Sequence, residues 1–147
     1  MVIYGIDPGF SGGWGAITPD GQYISCGDML SENNLLSFKK ILQAMMEVRD
    51  GESLVVVEAV HAMPRQGVSS SFKFGMAYGG ALALAECLGT RYLAVPRVWK
   101  RDMGLDASKE ASLTMARELW PKAPLHRRKD DGRAEALLMA EWKRRML

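Results

Sequence analysis

Four acidic residues occupy positions that solvent-facing charge does not explain. Asp7 ends the apolar run VIYGID, Glu58 stands near the end of VVVEAV, and Asp131 and Glu135 lie within KDDGRAEALLMA. A carboxylate at the end of a buried strand costs free energy unless a cation, a donor or water compensates it. At about 100° per residue, Asp131 and Glu135 are only about 40° apart around a helix axis, so both can face one point. Asp130 lies about 140° from Glu135; it reads as the capping residue and is the alternate to Asp131. No histidine or cysteine shares the pattern, and an all-oxygen donor set suits Mg²⁺ or Mn²⁺. Two such ions about 4 Å apart activate a water and stabilise the leaving oxygen of a phosphodiester. The plainer reading makes Asp7 and Glu58 caps of following turns and Asp130 and Asp131 partners of a helix dipole. It explains Glu135, flanked by Ala134 and Ala136, less well.

Gly9, Gly12 and Gly13 crowd the chain after Asp7. They admit two readings: open backbone that a phosphate and hydrated ions can approach, or ordinary hairpin glycines.

The elements that must position these acids follow from patterning. VIYGID and the two halves of GWGAITPDGQYISCGDML, which turns at Pro19-Asp20-Gly21, read as three antiparallel strands. Residues 31–49 read as an amphipathic helix capped by Ser31. SLVVVEAV is a strand buried on both faces, residues 69–88 a helix rich in small residues, and RYLAVP a fifth strand. Helices follow in PRVWKRDMGL, SKEASLTMARELWP and DDGRAEALLMAEWKRRM. A hairpin sheet followed by alternating helices and strands implies an α/β fold, a mixed sheet with helices on its faces.

With 147 residues, 48 % of them apolar, the chain can fill one core and is read as a single domain, residues 1–147. Two cysteines, Cys26 and Cys87, and two distant histidines argue against a zinc site or a disulfide framework. No apolar run approaches the length of a membrane span, and the expected location is cytoplasmic. The net charge of +2 is small, so attraction to a polyanion must come from clustering. Arg97, Lys100 and Arg101 form one basic group, and HRRK, immediately before the acidic pair, sets Arg127, Arg128 and Lys129 beside the candidate metal site. With Lys109, and with His61, Arg65 and Lys73 from the segment after Glu58, these supply the candidate DNA contacts. Phe72 and Phe74 read as helix core, and Trp14, Trp99, Trp120 and Trp142 as packing residues.

YGIDPG, the glutamate of VVVEAV and KDDGRAEALLMA, in this order and spacing, resemble the RuvC-type Holliday junction resolvases of the RNase H-like fold, especially the phage and chloroplast branches. The likeness continues through RQGVSSSFKFGMAYGGALALAECLG, VPRVWKRDMGL and SKEAS. It implies a five-stranded mixed sheet with helices on both faces. It also implies a magnesium-dependent endonuclease of DNA recombination and repair, a homodimer that nicks two strands symmetrically at a four-way junction. By matching position, Asp7, Glu58 and Glu135 take the first, second and last metal-ligand roles, with Asp131 completing the set around two ions. If the chain is phage-encoded, its place is the host cytoplasm. The bacterial form spaces its last two acids three residues apart, whereas Gly132 stands three before Glu135 here. Where that form has a base-stacking aromatic three residues after the glutamate, this chain has His61, with Met63 and the MPRQG loop as alternatives. The resemblance also implies a lysine that neutralises charge in the transition state, a role open to Lys100 or Lys109. Rival readings are a less selective branched-DNA or flap nuclease, a non-catalytic DNA-binding protein of the same fold, and a phosphate-binding ATPase of the actin and sugar-kinase type, for which the chain has no length for a second domain.

Overall fold

Strand parity decides which side chains meet, because alternate residues point to opposite faces of a sheet. The computed structural model describes residues 1–147. Its main sheet comprises β1 (Val2–Asp7), β2 (Gly13–Ile17), β3 (Tyr23–Asp28), β6 (Ser53–Glu58) and β7 (Thr90–Ala94), in the spatial order β3-β2-β1-β6-β7. β1 pairs antiparallel with β2 and parallel with β6, and β6 parallel with β7, so the sheet is mixed, as expected. The register sets Ile6 opposite Val57. One residue further on, Asp7 and Glu58 end neighbouring parallel strands, the place where open α/β sheets expose backbone and side chains to a ligand.

Two cores flank this sheet. Val2, Tyr4, Ile6, Val55 and Val57 pack on one face with Ile41 and Met45 of α1 (Phe38–Met46) and Leu84 and Leu88 of α2 (Val68–Leu88). Ile3, Val56 and Ala94 pack on the other with Trp99 of α3 (Pro96–Asp102), Leu113 of α4 (Lys109–Leu119) and Leu137 and Leu138 of α5 (Asp131–Arg144). Asp7 has the parity of Ile3, and Glu58 that of Val56. Both acids therefore belong to the face that α5 covers.

The glycines explain how closely α5 lies. A Cβ on Gly5 would sit on the carbonyl of Ala136, and one on Gly13 would reach within 2.7 Å of the Arg133 backbone nitrogen. A Cβ on Gly132 of α5 would come within 2.6 Å of the Gly12 carbonyl carbon. Neither sequence reading anticipated that Gly13 is a close-approach residue that, with Gly132, seats α5 on the sheet, whereas a Cβ on Gly12 would fall on the Asp7 carbonyl oxygen within its own turn. Gly9, at φ +120°, is the turn glycine.

One element differs from the sequence reading. Residues 31–36 are not helical; β4 (Ser31–Glu32) and β5 (Leu35–Leu36) form a small hairpin, and the helix starts only at Phe38. Its turn is Asn33-Asn34, both at positive φ (51° and 62°), a conformation that asparagine tolerates better than other side chains. No helix is long and apolar enough to cross a membrane.

Candidate metal and nucleic-acid site

The site is built where β1, β6 and α5 converge. α5 begins at Asp131, directly after a 3₁₀ turn at Arg128–Asp130, and its first two turns carry Asp131 and Glu135 over the strand ends. A cleft of about 460 Å³ opens there, lined by residues 7–12, Ser70, Lys73 and Phe74 of α2, Lys109, Asp131 and Glu135. Glu58 is not part of the lining; it ends the neighbouring strand and acts on Asp7 through its charge. Burial pushes the Asp7 carboxyl well above the ordinary aspartate range, and the charges of Glu58, Glu135 and Asp131 push it further, against Lys109. Burial also raises Glu58, opposed by the hydrogen bond from Trp99. The four acids anticipated from sequence thus act on one another electrostatically, although they come from three distant segments.

Two lysines meet four carboxylates, which leaves two negative charges uncompensated. Lys100 Nζ donates to Glu135 Oε1 at 2.7 Å and Lys109 Nζ lies 3.0 Å from Asp131 Oδ2. The pairs differ in kind. Lys100 and Glu135 are largely buried, whereas the Lys109 side chain is 71 % exposed, so its pair is weak and readily exchanged. Asp7 has no ion-pair or hydrogen-bond partner among the side chains. Hard oxygen donors, an unpaired carboxylate and excess negative charge fit a divalent cation. In the conformation described, no three of these acids stand close enough to share an ion. Asp131 is turned onto the exposed Lys109, so its coordination requires that pair to open, whereas Lys100 engages only Oε1 of Glu135.

Asp130 has a different place. It is fully buried, and Arg127 grips it through Nε and Nη2 at 2.8 and 2.6 Å while the Arg127 backbone N–H donates to its other oxygen. Arg133 approaches it at 3.8 Å and binds Asp28 at 2.7 Å. Burial opposes ionisation, but these bonds and charges prevail and hold Asp130 below the ordinary range. Asp130 is thereby removed as an alternate metal ligand, and Arg127 as a free phosphate contact: both tie β3 to the start of α5. Asp130→Ala is expected to cost about 3 kcal/mol, the order found when a buried ion pair loses one partner. That lowers the melting temperature by roughly 10 °C. A folded-state carboxyl below its unfolded value stabilises above the ordinary range and loses that contribution as pH falls, so the gap between wild type and variant should close in acid. Thermal melts across pH check both, and an unchanged melting temperature at neutral pH contradicts the assignment.

The remaining candidates are dispersed. His61 and Arg65 lie exposed on the loop after β6, Arg65 at φ 66°. Lys73 sits 4.3 Å above the Phe10 ring at the cleft rim. Arg128 lines a second groove of about 730 Å³ with Ser108, Arg117 and His126, and Lys109 joins this groove to the acidic cleft. Lys129 is exposed and unpaired. Trp14, Trp99 and Trp120 are buried, in keeping with packing. Phe72 is 71 % exposed and Phe74 lines the cleft, so neither is the helix-core residue expected, because the first half of α2 projects beyond the sheet. Sequence reasoning missed Phe10, Ser112 and the donor function of Trp99. Ser112 gave no signal, since a serine in a helical stretch is unremarkable.

No family model matches the chain. In an alignment 91 positions long that covers 58 % of this chain, it is 36 % identical to the chloroplastic Holliday junction resolvase MOC1 of Chlamydomonas reinhardtii; it spans about a tenth of that relative. Among solved structures, Thermus thermophilus RuvC in complex with a Holliday junction substrate superposes with a TM-score of 0.72 at 23 % identity, covering 99 % of this chain and 96 % of that one. A second Thermus thermophilus RuvC structure gives 0.69 at the same identity and coverage. The chain has the RuvC fold, an RNase H-like mixed sheet with helices on both faces, and over part of its length its sequence is similar to that of a chloroplastic Holliday junction resolvase.

Proposed function

We propose that this chain is a crossover junction endodeoxyribonuclease, which resolves four-way DNA junctions by paired symmetric nicks with Mg²⁺, or Mn²⁺ in its place, as cofactor. The observation that carries the reading is that Asp7, Asp131 and Glu135 line one cleft, with Glu58 close enough to act on Asp7 by its charge, on the fold of a protein solved with a Holliday junction. These four residues would hold two divalent ions. When bound, the ions supply the Lewis acidity for in-line attack of water on phosphorus, leaving 5′-phosphate and 3′-hydroxyl ends.

The chain's own residues do the rest. Glu135 stays anchored by Lys100, while the exposed Lys109 exchanges Asp131 for a phosphate oxygen and offsets charge as it develops. Lys73 lines the cleft, and the groove of Arg117, His126 and Arg128 adjoins it through Lys109, a basic track along which a phosphate backbone continuing from the scissile position would run. Paired cuts need two active sites and hence a two-fold dimer. The outward apolar side chains Val68, Phe72 and Met76 of α2 are available to a second copy. A cytoplasmic location accords with a DNA substrate.

The test is cleavage of labelled four-way, three-way and linear substrates with Mg²⁺, with and without chelator. Expected is chelator-sensitive nicking of the four-way junction at paired positions. Equal cutting of all three shows a less selective nuclease, and binding without nicking a DNA-binding protein.

A further inference from the structure

Two neutral donors reach the acid cluster from helices that contribute no carboxylate. Trp99 of α3 is fully buried, and its indole Nε1–H donates to Glu58 Oε1 at 3.1 Å. Ser112 of α4 is also fully buried, and its hydroxyl donates to Glu135 Oε1 at 3.0 Å, beside Lys100 at 2.7 Å. Each glutamate is thus held by one oxygen, and no hydrogen bond engages its Oε2. Trp99 is locked in the core under β6, and it precedes Lys100, so consecutive residues of one short helix address both glutamates.

The type of donor matters. A lysine that fixes a carboxylate also neutralises it and competes with a cation. An indole N–H or a hydroxyl fixes its orientation and leaves the charge in place, as at Glu58; at Glu135 Ser112 adds orientation to the pairing with Lys100, on the same oxygen.

We propose that Trp99 and Ser112 are positioning residues, which hold Glu58 and Glu135 by Oε1 so that Oε2 of each is presented to a divalent cation. The proposal rests on the function given above. Its signature is metal affinity, since partners that orient metal ligands typically contribute about 10- to 100-fold in affinity or activity.

The experiment compares wild type with Trp99→Phe, Ser112→Ala and Ser112→Thr. Two readouts are taken: the rise in melting temperature of DNA-free protein on Mn²⁺ addition, and the Mg²⁺ concentration giving half-maximal junction cleavage. Trp99→Phe and Ser112→Ala are expected to raise both metal half-saturation values by about tenfold, with cleavage at saturating metal within about twofold of wild type. Ser112→Thr, which keeps the hydroxyl, should restore the wild-type values. A purely structural role predicts a lower melting temperature with and without metal and unchanged half-saturation, and that result overturns the proposal. If Trp99→Phe does not fold, the alanine and threonine variants of Ser112 decide. A wild type that neither nicks junctions nor gains stability from metal overturns the proposed function, and this inference with it, whereas a metal-dependent wild type with unaltered variants overturns the inference alone.

Discussion

Asp7→Asn is expected to slow junction cleavage by at least about 10³-fold while raising the melting temperature at neutral pH. The rate loss follows from position. Asp7 is the acid nearest all the others electrostatically, and removing an interaction worth about 4 kcal/mol in the transition state costs about three decades in rate. The stability gain follows from the same burial. An acid whose folded-state pKa lies above its unfolded value binds a proton more tightly when folded, so its cost is absent in acid and grows as pH rises through the ordinary aspartate range. It reaches its full value once pH passes the raised folded pKa. The neutral amide never carries that cost. The melting temperatures of wild type and variant should coincide at acid pH and separate by several degrees near neutrality, at roughly 3 °C per kcal/mol for a chain of this size. Junction affinity in chelator should be unchanged or stronger, because one negative charge leaves a DNA-facing cleft. Normal cleavage by the variant would refute the catalytic reading, and a lower melting temperature would refute the electrostatic one.

Gly5→Ala is expected to prevent stable folding, although it adds one methyl group to a strand. The new Cβ would fall on the Ala136 carbonyl, a backbone atom in the second turn of α5 that cannot rotate away. α5 would have to lift from β1 and β2, opening the core formed by Ile3, Val56, Leu137 and Leu138 and carrying Glu135 away from Asp7. A cost above about 4 kcal/mol is reasonable for overpacking against fixed backbone, a large part of a domain's total stability. Gly75→Ala is the matched control. Nothing lies within 4 Å of its added Cβ, and alanine favours the helix by up to about 1 kcal/mol, so this variant should be as stable as wild type or more so. Circular dichroism melts distinguish the two, and a well-folded Gly5→Ala protein would show that α5 is seated by something other than backbone contact.

The roles of these residues were legible to different degrees. Strand placement could be read because it is local. Apolar runs located β1 and β6 with Asp7 and Glu58 at their ends, and the 3.6-residue period of α5 aligned Asp131 with Glu135; the shared face of Asp7 and Glu58 needed the register of the paired strands. The mixed sheet with flanking helices followed from the order of those patterns. The Asn33-Asn34 hairpin was missed because scattered leucines in its neighbourhood also satisfy a helical period. Asn-Asn was the signal that could have located it.

The sequence by itself therefore determined the donor chemistry, the sheet and the helix that carry it, because residue type and short-range period are written locally. Only the tertiary structure decided which acid is free and which is consumed. Asp130 and Asp131 are adjacent in sequence, yet Arg127 and Arg133 take the first and leave the second facing the cleft. It also decided that glycines near Asp7 seat a helix, and that Trp99 and Ser112 hold the glutamates. Arg127 and Arg133 stand only three residues from Asp130, but Arg133 also reaches Asp28 of β3, 105 residues away, and Ser112 and Trp99 reach their glutamates over 23 and 41 residues; no spacing along a chain encodes a hydrogen bond that exists only after its two ends have packed.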